Sequence, residues 1–289
     1  MASVLRITDR IEQHYEHLSK AQQRVAQYIL KNLTYVALHA ASEVGEKAGT
    51  SETTVIRFCY SIGLTGYAQL QKEVMAHVLE QQGKSTLGNY VSSKEALFNE
   101  PELAEKLMHR VSNQIMDISE QIQPEKYKQL TKRIHDAPVI YLVGAGVSRF
   151  AVQWLHYTLS ILRPNVHLVD TNTVTLLHTL QQMDEHALVI VVSLHRYSKE
   201  SIVLAKLFQE KGAHLVAITD TNISPIHPYV NESFVLQQSE LSTIDMMPTL
   251  IAFMNTIVAG VIANDATHYN EQRKKFDDFQ NSFLVNRWS

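Results

Sequence analysis

The sequence predicts two unlike halves: an all-helical N-terminal bundle, and a C-terminal α/β half built on a parallel sheet of roughly five strands flanked by helices. From Ser19 to about Glu80 every apolar pattern has helical period, with no strand-like alternation. From Pro138 onward the short apolar runs VIYLV, VHLV, ALVIVV and HLVAIT are separated by helical stretches of ten or more residues. That rhythm is the signature of parallel strands joined by helical crossovers. Between the halves, QQGKSTLGNYVSSKEALFN, Gln81 to Asn99, loses periodicity and has the composition of a linker. The expected division is a helical domain over 1–80, a linker over 81–99 and a second domain over 100–289. A chain of 289 residues is long enough to give each half its own core.

Ser19 and Gln22 have capping-box spacing at the head of a helix whose Ala21, Val25, Tyr28, Ile29 and Leu33 fall on one stripe. The segment AASEVGEKAGTSETTVIRFCYSIG predicts a short helix from about Ala41 to Ala48, a tight turn at Gly49 and Thr50, Ser51 as N-cap, and a second helix stopped by Gly63. Two short helices across a glycine turn describe a helix-turn-helix, whose second helix offers its first residues to the DNA major groove. The candidates for DNA contact are Ser51, Glu52, Thr53, Thr54 and Arg57, with Lys72 further along. Hydroxyls suit phosphates or base edges, and Arg57 can donate two parallel hydrogen bonds to guanine or phosphate. Val55, Phe58, Cys59 and Ile62 are expected to face the core. A plain helical bundle with ordinary caps fits the same residues. Residues 1–80 carry eight Lys/Arg and eight Asp/Glu, so any DNA-facing surface must arise from clustering, and a dimer would double the phosphate contacts.

In the second half, Leu103, Leu107, Val111, Ile115, Ile118 and Ile122 resume a helical stripe, and SFVL at 233–236 is a plausible fifth strand. The run LIAFMNTIVAGVIA, Leu250 to Ala263, is interrupted by Asn255 and Thr256 and is shorter than a membrane span, which favours a buried helix. Phe276, Phe279 and Phe283 share one helical face near the C-terminus. In VIYLVGAGVSRF a strand meets a glycine turn and a helix. Gly144 and Gly146 are expected to let backbone approach a ligand, Ser148 adds a hydroxyl, and the helix N-terminus offers free amides to an anion. The stretch SLHRYSKES follows ALVIVV at the carboxyl end of a parallel strand, where open α/β sheets bind ligands. Ser193, His195, Arg196 and Ser198 are therefore candidates to hold an anionic metabolite, unless Arg196 itself fills the pocket. GAGVSR followed by Val169 and Asp170 imitates a dinucleotide fingerprint, but Arg149 stands where the third glycine belongs. His195 and Glu200 are the obvious candidates for proton transfer if the domain were an enzyme. No metal-ligand spacing and no cofactor motif stands out, and Cys59 is the only cysteine. Lys+Arg 26 against Asp+Glu 29 gives a net charge of −3, without the overall basic character of many nucleic-acid binders.

The segment LSKAQQRVAQYILKN…SEVGEKAGTSETTVIRFCYSIGLTGYAQLQKEV resembles the N-terminal domain of the RpiR family of bacterial transcriptional regulators, most specifically in TSETTVIRFC and IGLTGYAQLQ. In that family a sugar-isomerase (SIS) domain follows, and the second half here has the corresponding pattern. The resemblance implies a repressor that binds double-stranded operator DNA as a homodimer or homotetramer. It also implies a SIS domain that senses a sugar phosphate or sugar acid; the single cysteine, the N-terminus without a signal-peptide apolar core and the short apolar run at 250–263 fit a cytoplasmic protein with no membrane association. A phosphosugar isomerase with an accessory helical domain is the alternative. In relatives the loop after this strand has the form Ser-x-Ser-Gly-x-Ser/Thr; Ser193 and Ser198 match its outer positions, while His195 and Arg196 replace the inner serine and glycine. Tyr60 and Ser61 stand where many relatives have basic residues. TNISP, Thr221 to Pro225, resembles the loop after the next strand, and Ser239, Glu240 and Ser242 are expected to close the pocket.

Overall fold

A computed structural model of the chain describes residues 7–82, 86–238 and 242–281. The chain forms two compact units, Met1–Lys84 and Ser85–Ser289. The first unit is all-helical: α1 (Ile7–His14), α2 (Lys20–Lys31), α3 (Leu33–Leu38), α4 (Ala41–Lys47), α5 (Glu52–Ser61) and α6 (Tyr67–Gln82). The capping box that opens α2 is present, with the Ser19 side chain accepting from Gln22 N and the Ser19 amide donating to Gln22 Oε1. Asn32, at φ −135° and ψ 43°, ends α2, so Leu33 starts the next helix instead of continuing the stripe. Val25, Ile29, Val55, Phe58, Cys59, Ile62, Leu70 and Val74 are buried together with Ile7 and Ile11. The four residues of α5 and its cap expected to face inward do so.

The second unit opens with α7 (Thr86–Lys94), α8 (Leu103–Gln121) and α9 (Pro124–Asp136). The linker expected over 81–99 is corrected: α7 and a 3-10 turn over Glu95–Leu97 occupy most of it. Its polar residues are structural. Lys94 is buried, pairs with Asp245 at 2.6 Å and lies over the Tyr90 ring, and Arg110 donates to Ser93 O at 2.8 Å. The α/β part then runs β1 (Val139–Gly144), α10 (Val147–Leu162), β2 (Val166–Leu168), α11 (Thr173–Gln182), β3 (Ala187–Ser193), α12 (Lys199–Glu210), β4 (His214–Thr219), β5 (Glu232–Val235), α13 (Thr243–Asn264) and α14 (Ala266–Asn281). Five parallel strands stand in the order β2-β1-β3-β4-β5. The central β3 is buried at every position, as its unbroken apolar run requires.

The sheet carries a core on each face. Ile140, Leu142, Leu188, Ile190 and Val216 pack with Leu155, Leu159, Leu250, Phe253 and Ile257 of α10 and α13. Tyr141, Val143, Val189, Val191 and Leu215 pack on the other face with Leu204 and Phe208 of α12. Helix α13 is long and apolar enough to cross a membrane by length and composition, yet its Leu250, Phe253, Met254, Ile257 and Val261 are buried in this core. A Cβ at Gly260 would come within 2.6 Å of Thr131 Cγ2, so glycine lets α13 lie close against α9. On α14, Phe276 is half-buried and Phe279 is 63 % exposed; Phe283 lies outside the described residues.

Two expectations follow. Lys94→Met removes a cation 2.6 Å from a buried carboxylate, and is expected to cost the second unit about 3–5 kcal/mol. Lys94→Met/Asp245→Leu should recover most of that loss in urea unfolding. Burial pushes the Cys59 thiol up to about 12, whereas an unfolded thiol ionises near ~8.5. The unfolded chain therefore binds fewer protons between those values, and stability should fall as pH rises through that window. The fall should be shallower in Cys59→Ala.

Candidate functional site

The first unit presents one compact motif. Helix α4 ends in a Schellman turn, in which Thr50 N donates to Gly45 O at 2.8 Å and Gly49 N to Glu46 O at 3.0 Å. Gly49 takes φ 65°, a conformation that costs glycine little. Ser51 then caps α5, its hydroxyl accepting from Thr54 N at 3.3 Å. A Cβ at Gly45 would come within 2.9 Å of the Ser51 carbonyl carbon, so this glycine sets how closely α4 meets the start of α5. Ser51, Glu52, Thr53 and Arg57 are exposed on α5 and at its cap, and Thr54 is half-buried. Lys72 is exposed on α6, a different helix. Two residues of α2 brace the motif: Arg24 donates to Gly49 O at 3.3 Å, and Gln22 donates to Ser61 Oγ at 2.8 Å. Arg24 is an exposed cation at the start of α5 that the sequence pattern did not single out. Tyr60 is 57 % exposed on the same helix.

The second unit carries a cleft of about 450 Å³ at the carboxyl ends of β1 and β3. The order β2-β1-β3 makes this the topological switch point, where connections leave in opposite directions and the strand ends splay apart. Gly146, Ser148, Ser193, His195, Arg196 and Ser198 all line it, together with Ser201 and Thr243. Two helices begin here, α10 after Gly146 and α12 after Ser198, neither with a side-chain cap, and the positive end of a helix dipole favours an anion. Gly146, at φ 57° and ψ −129°, has open space where a Cβ would stand.

Asp220, immediately after β4, organises the loop between β3 and α12. Its Oδ2 accepts from the His195 backbone N at 2.9 Å and from His195 Nδ1 at 3.0 Å, and its Oδ1 accepts from the Tyr197 hydroxyl at 2.7 Å. Thr219 Oγ1 donates to Ser193 O at 2.6 Å and ties down the start of the loop. Burial, and next the Asp220 charge, push the Tyr197 phenol far above its ordinary value, so it stays protonated. Arg196 takes φ 63°, a left-handed conformation that costs glycine little, and it stands at the glycine position of the Ser-x-Ser-Gly-x-Ser/Thr pattern. His195 and Ser193 are both buried, and His195 Nε2 and Ser193 Oγ have no hydrogen-bond partner among the described residues.

Some expectations need correction. Gly144 does not line the cleft; a Cβ there would come within 2.8 Å of Ser148 O, so it serves the packing of α10 on β1. Ser242 is the N-cap of α13, its side chain accepting from Ile244 N at 3.2 Å, and the neighbouring Thr243 lines the cleft instead. Ser239 and Glu240 lie outside the described residues. Arg149 donates to Val169 O at 2.8 Å, and Asp170 accepts from Asn172 N in a local turn, so the dinucleotide-like residues are spent on holding the chain. Ser201 could have been found three residues after Ser198 on the same helix face, and Asp220 from its position at a strand end. Thr243 has no local signal, because only the tertiary fold brings α13 to this strand edge.

A model of the helix-turn-helix domain of the rpiR family matches residues 5–81, and a model of the SIS domain matches residues 133–268. The chain carries an rpiR-family helix-turn-helix domain followed by a SIS domain. An HTH-type transcriptional regulator of Haemophilus influenzae is 23% identical to this chain over 80% of both sequences. HexR, an HTH-type transcriptional regulator of Pseudomonas aeruginosa, is 22% identical over 74% of this chain and 73% of its own. Among solved structures, the Vibrio vulnificus NanR protein complexed with ManNAc-6P has a TM-score of 0.64 at 19% identity, covering 97% of this chain and 100% of that one.

The left-handed Arg196 gives this cleft a testable signature. Arg196→Gly should leave stability unchanged or raise it by up to ~1 kcal/mol. Arg196→Val, which forces a β-branched residue into the same backbone, should lower it by about 1–3 kcal/mol. Thermal melts of the two variants check both signs.

Proposed function

We propose that the chain is an RpiR-family regulator that binds operator DNA through the start of α5, and an anionic metabolite, a sugar phosphate above all, through the cleft at β1 and β3. Occupancy of the cleft changes affinity for DNA. The observation that carries the reading is a polar cleft at a sheet switch point, with two helix N-termini, four serines and an arginine around it, on the same chain as an rpiR-type helix-turn-helix. The guanidinium of Arg196 can fork onto a phosphate or carboxylate in place of the missing loop glycine. The NanR structure supports the ligand class, since it is a relative in fold whose partner molecule, ManNAc-6P, is a phosphorylated sugar.

The regulator acts in the cytoplasm as a repressor and a homodimer or homotetramer, which matches a palindromic operator and strengthens a nearly neutral DNA-binding head. DNA contacts come from Ser51, Glu52, Thr53, Thr54, Arg57 and Lys72, and ligand contacts from Gly146, Ser148, Ser193, His195, Arg196 and Ser198. Helix α7 follows the first unit directly in sequence. It is tied by Lys94 to Asp245 in the first turn of α13, two residues from the cleft-lining Thr243. This gives a ligand in the cleft a short covalent and ionic route toward the DNA-binding unit.

The test is fluorescence anisotropy with a duplex selected from random sequence by the full chain, titrated with and without hexose 6-phosphates and N-acetylmannosamine 6-phosphate. One of these should change DNA affinity by about 5- to 150-fold, the range of a coupling of ~1–3 kcal/mol. Arg196→Ala should keep DNA affinity and lose the response; a normal response in that variant would place the ligand elsewhere. Arg57→Ala should weaken specific binding by about ten- to a hundredfold or more, a loss of ~1–3 kcal/mol. Unchanged affinity and salt dependence would remove α5 from the interface.

A further inference from the structure

We propose that His195 is a proton-linked donor to the bound anion, set for that role by Asp220; the proposal rests on the anion-site reading above and deepens it. Asp220 Oδ2 accepts from both the backbone amide and Nδ1 of His195, so the proton of the neutral ring belongs on Nδ1. That leaves Nε2, on a residue that lines the cleft, buried and without a hydrogen-bond partner among the described residues. As a bare lone pair it repels an anion. Once protonated it becomes a second N–H donor on a cationic ring, with the Asp220 carboxylate on one side and the ligand's oxygens on the other. Anion binding and protonation of His195 therefore assist each other.

Among the described residues that line the cleft, His195 and Arg196 are the ionisable ones, and Arg196 keeps its charge at all working pH values. Tyr197 donates to Asp220 from behind and stays protonated. From α10, Arg149 is directed to Val169 O. Lys199 and Glu200 are exposed in the first turn of α12, and Asp245 of α13 is paired with Lys94. The site so built takes a fully ionised phosphoryl or sulfuryl group together with a proton, and discriminates against neutral sugars.

The probe is inorganic sulfate, which does not titrate between pH 6 and 9, measured on the full chain by isothermal calorimetry in buffers of different ionisation enthalpy. The expected result is uptake of a proton, approaching one per sulfate at the higher pH values, with affinity falling by up to about tenfold per pH unit there. His195→Gln should bind sulfate more weakly at pH 6, with no such pH dependence. Asp220→Asn, which removes the charge that favours the imidazolium, should weaken sulfate binding and shift its dependence to lower pH. Sulfate binding that is pH-independent in the unaltered protein, with no buffer-dependent heat, overturns the proposal and leaves the anion site standing. No sulfate binding at any pH overturns the anion-site reading, and this proposal with it.

Discussion

The candidate effector cleft depends on one carboxylate. Asp220 gathers three donors from the loop after β3, and in doing so fixes the path of residues 193–198 across the switch point. A carboxylate in this position accepts from two side chains and a backbone amide at once. The loop can then hold Arg196 in a left-handed conformation without glycine. The order of dependence runs from strand order, which opens the cleft, to Asp220, which holds the loop that lines it, to Arg196 and His195, which give it polar and charged groups.

The DNA-binding motif is organised differently. Its geometry comes from backbone economy: a Schellman turn at Gly49, a serine cap at Ser51 and the absence of a side chain at Gly45 bring α4 and α5 together. Core residues on α5 alternate with exposed ones at helical spacing, so a single helix both anchors in the bundle and offers Ser51, Glu52, Thr53 and Arg57 outward. Gln22 and Arg24 add braces from α2 to the two ends of this helix. The second unit carries charge inside instead, in the Lys94–Asp245 pair that roots α7 on α13.

Much of this was legible in the sequence because it is local. Strand runs such as HLVAIT, the capping box at Ser19 and the glycine turn at Gly49 each encode their structure within a few residues. The cleft residues Gly146, Ser148, Ser193, His195, Arg196 and Ser198 were legible for a related reason: ligand sites in parallel sheets lie at strand carboxyl ends, and the strands were recognisable. What stayed hidden depends on pairs far apart in the chain. The segment after Gln82 has linker composition, yet Lys94 is buried by a partner 151 residues away at Asp245. Gly144 looks like a ligand-approach glycine until the packing of Ser148 and Val152 against it is known. Asp220 stands at a recognisable strand end, but its partners lie 23 and 25 residues away on another loop, and Thr243 carries no motif of its own and gains its role only when α13 comes beside β3.

The most direct test of this account is sulfate or hexose 6-phosphate affinity in Asp220→Asn, measured beside the affinity of the same variant for DNA. If Asp220 organises an anion cleft in a separately folded sensor unit, the variant should keep its DNA affinity and lose anion affinity by about tenfold or more, because the loop loses a charged acceptor for which an amide is a poor substitute. Anion affinity equal to that of the unaltered protein would contradict the account. It would show that the loop and its charges hold their positions without this carboxylate.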